Sequence, residues 1–289
     1  MAPIYLNLLA GILGTISSAV HNFPDLTSIS GHSHSDIGSN LSNLGTELAA
    51  HLPPFLTDNP FSGGFPWGKK SSRNTNYHTD YPRTGIVRTY DWTVTKQDIA
   101  PDGVNVTGLL VNGQFPGPMI EANWGDTIRV TLHNELDEGT ALHWHGFLQK
   151  GTQSFDGVPG ISLCPIAPGK SFTYTFTAEL YGTSWWHSHY SSQYASGMSG
   201  PIVIYGPQNA KYDIDLSPIS GTDWYHTYYM DLVEGLSQPI PNTRIPYSQN
   251  VLINGKNNYD CSKTELGCIE DAGLATFNLT SGKKHHLRR

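Results

Sequence analysis

Two short stretches of this chain place paired imidazoles where they could hold a metal ion: "ALHWHGF", with His143 and His145, and "WWHSHY", with His187 and His189. In an extended strand residues i and i+2 project to the same side, about 6.5 Å apart at Cα, so each pair faces one space while Trp144 and Ser188 turn away. Two such strands side by side would present four neutral imidazoles, a donor set suited to copper, zinc or nickel. One His-x-His pair is weak evidence, because surface and core histidines are common. Two pairs at strand spacing, each beside tryptophan, point to a metal. A third pair, His32 and His34, serves as a control: on a flexible Ser- and Gly-rich tract the rings have no fixed relation, and solvated histidines are the expectation. A His-x-His strand with a third histidine would also suit a zinc hydratase or hydrolase working through metal-bound water. That reading is less natural here, since neither a glutamate base nor a third ligand stands nearby in the sequence.

The elements that must position these histidines read as strands. In "TIRVTLHNEL" the apolar Ile128, Val130 and Leu132 alternate with Arg129, Thr131 and His133, and in "SFTYTFTAEL" Phe172, Tyr174 and Phe176 alternate with threonines. Turn sequences such as "NGQFPGP", "WGDT", "PDG" and "APGK" separate these runs, and "GPIVIYGP" closes the unit. Short strands at this spacing predict an all-β protein, an antiparallel Greek-key sandwich or barrel, over residues 80–206. Residues 207–289 hold only three or four strand-like runs, against about seven in a closed sandwich, so a second, incomplete domain is expected there. Residues 20–79, rich in Ser, Asn, Gly and Pro, read as a largely disordered, low-complexity pro-segment or linker.

Composition narrows the function classes. Charged residues make up 14% of the 289, while Gly (30), Pro (19), Tyr (15) and Trp (7) are plentiful, which favours a turn-rich β protein. A formal charge of -7 without a basic stripe argues against nucleic acid or an anionic membrane as partner. The start, "MAPIYLNLLAGILGTISSAVHNFP", carries an apolar run and a small-x-small site ending at Ala19, so residues 1–19 read as a signal peptide of a secreted protein, with a buried helix as the alternative. The sequons at Asn40, Asn105 and Asn278 agree with a secreted glycoprotein. Three cysteines are an odd count. Cys261 and Cys268 could close a small loop and leave Cys164 single, a choice that geometry decides.

The runs "HWHGFLQKGTQSFDGVPGISLCPIAPG" and "YGTSWWHSHYSSQYASGMSGPIVIYGP" resemble the first two copper-binding segments of the multicopper oxidases. Upstream, "VNGQFPGPMIEANWGDTIRVTLHNEL" is similar to the opening strands of their first cupredoxin domain. Downstream, "YDIDLSPISGTDWYH", "LINGKNNYDC" and "AGLATFNLTSGK" are similar to the second domain of ascomycete-type laccases. The resemblance spans residues 84–287. It implies cupredoxin-like domains, with His143 as a ligand of the type 2 copper and His145, His187 and His189 as ligands of the type 3 copper pair. Asp156, in "SFDGVP", resembles the carboxylate that assists proton delivery to oxygen near the type 2 copper, although an aspartate before glycine is also an ordinary turn residue. Trp144 and Trp186 are assigned to packing. Cys164 is similar to a family cysteine that forms a long-range disulfide. Two departures are visible: Leu163 where glutamine is usual, and Ser196 where an acidic residue is usual.

Members of that family take single electrons from a phenol at a type 1 copper and pass them to a trinuclear copper cluster that reduces O2 to water. The segments that supply the other cluster histidines and the type 1 site do not occur here, and none of Cys164, Cys261 and Cys268 is flanked by histidine. The expectation is therefore the N-terminal part of a laccase, needing a missing C-terminal domain to complete its copper cluster and inactive alone. A non-catalytic copper-binding cupredoxin module is the alternative. The first domain should fold more firmly than the second, whose edges would be left unpaired.

Overall fold

The computed structural model describes residues 51–57, 64–76, 78–238 and 246–289. The expected signal peptide, His32, His34 and the Asn40 sequon lie outside these residues.

Two four-stranded sheets face each other. One contains β2 (Val87–Ile99), β3 (Val106–Val111), β5 (Thr127–Asn134) and β7 (Ser171–Thr177) in the order β3-β2-β5-β7. The other contains β4 (Ile120–Asn123), β6 (Leu142–Trp144), β8 (Gly182–Ser188) and β9 (Ser199–Tyr205) in the order β4-β9-β8-β6. The alternation in β5 and β7 decides which face is core: Ile128, Val130, Leu132, Tyr174 and Phe176 are buried between the sheets. The expected sandwich is present, but it is not purely antiparallel. β2 runs parallel to β5, and β4 parallel to β9. Alternation fixes which face a residue takes and says nothing about strand direction; long β2 pairs with β5 along Val87–Val94 and turns to β3 along Val94–Ile99.

Tryptophans fill the space between the sheets. The Trp92 and Trp186 rings lie 4.7 Å apart, and Trp144 lies 4.9 Å from Phe176. A buried indole N–H needs an acceptor. Trp144 Nε1 donates to Phe155 O at 3.0 Å, Trp186 Nε1 to Pro118 O at 2.8 Å and Trp124 Nε1 to Glu179 O at 2.8 Å. These bonds fix the layer on which the histidine strands rest.

Part of the stretch read as a disordered linker is packed. β1 (His51–Leu52) pairs with β10 (Ile214–Leu216), Leu52 and Trp67 are buried, and Phe65 stacks on Trp67. The Asn123 side chain bonds both the N–H and the C=O of Leu56, each at 2.9 Å. The composition of the whole segment hid these few apolar anchors.

Beyond residue 206, β11 (Gly221–Trp224) pairs antiparallel with β12 (Asn250–Ile253), β13 (His285–His286) pairs with β10, and α1 (Tyr229–Leu236) is the one α-helix among the described residues. Trp224 and Leu252 are buried with Ile99, Val104, Val106, Leu110 and Phe115, so five of the seven members of this cluster come from the double-sheet part of the chain. Cys261 and Cys268 form a disulfide, and Cys164 is free and exposed.

Candidate metal centre

β6 and β8 are adjacent and antiparallel, with His143 directly opposite His187 and Trp144 opposite Trp186. The ladder continues past both strand ends: His145 N–H donates to Trp185 O at 3.1 Å, and His189 N–H to Ala141 O at 3.0 Å. One face of this pair therefore carries His143, His145, Trp185, His187 and His189, and the other carries the packing tryptophans. The His143 ring centroid lies 5.9, 5.3 and 5.4 Å from those of His145, His187 and His189. His145 and His187 are 5.7 Å apart, and His187 and His189 5.9 Å.

All four predicted histidines are thus brought to one face. Three converge most closely: ring nitrogens of His143, His145 and His187 lie within 4.8 Å of one another. His189 stands beside them, exposed. Two of the rings are oriented by the backbone. His143 Nδ1 donates to Asp156 O at 2.7 Å and His187 Nδ1 to Ser188 O at 2.9 Å, which leaves Nε2 of each free to bind. Burial, together with the neighbouring His143, His145 and His189, pulls His187 down to about 4 against the Ser188 carbonyl, and burial with His143 also lowers His145. Both are neutral at neutral pH, the form a metal requires. The donor set fits copper or zinc.

Asp156 meets this centre in two ways. Its carbonyl makes the short bond to His143, while its carboxylate Oδ1 stands 3.5 Å from the same Nδ1. Gly157, with φ +82°, allows that approach, because a Cβ there would lie 1.6 Å from Leu142 O. The glycine of "DG" is therefore as necessary to the geometry as the aspartate.

Sequence reasoning passed over Trp185, whose ring stacks on His187 at 4.1 Å and lies 5.3 Å from His145. Its place two residues before His187, on the same strand face, was the available signal. Trp185 and His145 also border a cleft of about 790 Å³, whose far wall includes Pro218, Tyr225 and Leu232. Ser196, one of the two departures noted above, accepts a bond from Tyr229 N–H at 3.1 Å.

Two family profiles, each described as multicopper oxidase, match residues 93–209 and 215–288. The chain is 42% identical over 224 residues to Laccase-2 of Botryotinia fuckeliana, covering 77% of this chain and 38% of that protein. It is 51% identical over 176 residues to dihydrogeodin oxidase of Aspergillus terreus, covering 60% and 28%. The crystal structure of the laccase from Botrytis aclada matches with a TM-score of 0.62 and 41% identity, over 68% of this chain and 36% of that one. The chain thus spans little more than a third of the length of such laccases.

Proposed function

Because the chain belongs to the multicopper oxidase family, we propose that His143 is a ligand of a type 2 copper, that His145, His187 and His189 are ligands of a type 3 copper pair, and that the chain serves one-electron oxidation of phenols coupled to reduction of O2 to water. The observation that carries this reading is the convergence of the ring nitrogens of His143, His145 and His187 on one sheet face, with His189 beside them. Ring nitrogens within 4.8 Å of one another are close enough for these histidines to hold a metal ion. When bound, copper supplies the one-electron steps.

The chain's own residues hold and orient. The Asp156 and Ser188 carbonyls fix the His143 and His187 tautomers, so that Nε2 of each would be the atom to hold a copper ion. The half-exposed Asp156 carboxylate is placed to pass protons between solvent and the space next to His143. Trp185 covers His187 from the cleft side.

Within these 289 residues the cysteines offer no type 1 site, since Cys261 and Cys268 are bonded to each other and Cys164 stands between Leu163 and Pro165. The reading is therefore that this chain supplies half of a cluster, completed by further polypeptide, and does not oxidise phenols alone. The same observation favours, as second reading, a copper-holding module without catalysis. Copper titration of the purified chain tests both. Uptake without blue absorbance or phenol oxidation is expected, turnover of a phenol by the chain alone would refute the half-cluster reading, and preference for zinc with no copper uptake would refute both. Secretion is proposed with it: the mature N-terminus should be Val20, and glycan should be found on the exposed Asn105 and Asn278.

A further inference from the structure

Gln193 is wholly buried, and both ends of its side-chain amide are hydrogen-bonded. Its Oε1 accepts from Thr140 Oγ1 at 2.8 Å and from Ser188 Oγ at 2.7 Å. Its Nε2 donates to Gly139 O at 3.0 Å, and the Tyr229 hydroxyl lies near enough to feel the amide. Two hydroxyls donating to its oxygen and a carbonyl accepting from its nitrogen determine the orientation of the amide.

These three partners and the neighbouring Tyr229 come from three parts of the chain that meet behind the histidines. Gly139 and Thr140 lead into β6 and His143. Ser188 stands between His187 and His189, and its carbonyl is the group to which His187 Nδ1 donates. Tyr229 opens α1, is itself buried, and is held by Ser196 at its N–H and by Glu138 at its hydroxyl. Glu138 also accepts from Tyr228 at 3.1 Å. Hydrogen bonds therefore run from Gln193 through Ser188 to the His187 ring, with Tyr229 of α1 beside the amide. His189 lies one residue past the end of β8, where its N–H still donates to Ala141 O at 3.0 Å, and Ser188, which donates to the Gln193 amide, precedes it.

We propose that Gln193 is a positioning residue of the metal centre: it holds the two histidine-bearing segments at a fixed separation and couples them, through Tyr229, to the 207–289 region. The proposal rests on the copper reading above. Partners one shell out from a metal's ligands commonly change affinity 10–100-fold when removed, whereas a residue serving only core stability shifts the melting temperature and leaves the bound metal's spectrum alone.

The test uses the whole chain, copper(II) as probe, and equilibrium dialysis with electron paramagnetic resonance as readouts. Gln193→Met keeps the length of the side chain and removes the amide. Its copper Kd is expected to rise about 10–100-fold, with altered copper hyperfine splitting. Tyr229→Phe, which removes one hydroxyl and keeps the ring, should give a smaller change in the same direction. Wild-type Kd and superimposable spectra in both variants would overturn the proposal, even with a lowered melting temperature. If near-ultraviolet circular dichroism shows that Gln193→Met has lost native packing, Tyr229→Phe decides alone, an unchanged Kd and spectrum overturning it. A wild-type chain that takes up no copper would defeat the copper reading itself, an outcome distinct from a binding wild type with indifferent variants.

Discussion

The double sheet of residues 87–205 and the stretch after residue 206 are held by different means. The first encloses its own core, with Trp92, Trp144 and Trp186 packed between two sheets. The second has four strands of two to four residues and packs Trp224 and Leu252 into a cluster otherwise formed by β2, β3 and the turns beside them. Polar ties then fasten it. Buried Asp102 accepts from His226 and Asn250, each at 2.9 Å. Buried Arg288 donates to both oxygens of Asp215 and reaches Thr183 on β8 at 3.1 Å. The lesson is that a region too short to close a core is ordered by docking, and that its stability depends on groups belonging to the region it docks on.

The largest effect that bears on this contrast should come from Trp186→Ala. That ring backs the His187 strand, and removing a buried tryptophan costs about 3–5 kcal/mol. Urea denaturation should show the loss globally, and copper uptake should go with it. Trp224→Ala removes the same side chain from the docked region and should mainly expose residues after 206 to limited proteolysis, with a much smaller change in copper Kd. Equal loss of copper in the two variants would break the distinction between the regions.

Asp102→Ala comes next, at about 2–3 kcal/mol for bonds to a buried carboxylate. It should release the second region to protease before the first. The same tie gives a pH dependence. Burial pushes the Asp102 carboxyl up, but the bonds from His226, Asn250 and Val104 outweigh it and hold the group below its ordinary value of 3.8. A carboxylate with a depressed folded value stabilises fully above 3.8, and that stability is lost as pH falls from there through the lower folded value. Proteolysis of the second region should therefore accelerate below about pH 4 in the wild type. An identical acid profile in Asp102→Ala would sink the assignment.

Reduction of the Cys261–Cys268 disulfide should act more locally. The bond closes a loop with a sequence separation of 7, for which about 2–3 kcal/mol is expected. The loop docks on the first region through Asn105 N–H to Gly267 O at 2.7 Å and Ile269 N–H to Gly103 O at 2.9 Å. Hydrogen exchange should rise at Asn105 and Ile269 on reduction while β6 and β8 stay protected. Loss of protection in β6 would show a coupling stronger than docking implies.

Much of this was legible in the residues, for reasons that differ from one element to the next. Period-2 alternation identified β5 and β7 because each has one dry face, and i, i+2 spacing put the four histidines on one side of β6 and β8. Strand direction was not legible, since β2 beside β5 looks the same in sequence whether parallel or antiparallel. The anchoring of residues 51–57 and 64–76 was missed because Leu52, Phe55 and Trp67 are few among Ser, Gly and Asn. Asp156 was noticed for its carboxylate, yet its carbonyl makes the shorter bond to His143, and backbone groups carry no sequence signal. Gln193 is invisible for a related reason: a glutamine in "SSQY" reads as surface until the fold buries it.

The smallest effect is expected at Cys164, and it sharpens the comparison from the other side. Family resemblance suggests a cysteine with a distant partner, whereas here the thiol is free and exposed, between a partly buried Leu163 and Pro165. If nothing is bonded to it, Cys164→Ser changes only solvent-facing atoms, and the stability change should stay within about 0.5 kcal/mol. A maleimide should then label the native chain once, at Cys164, and leave Cys261 and Cys268 untouched until reductant is added. If Cys164 resists labelling until reduction, or if Cys164→Ser destabilises the double sheet by more than that amount, a covalent partner is tied to the loop that follows Asp156. The histidine face would then be braced from outside the described residues as well as by Gln193 from within.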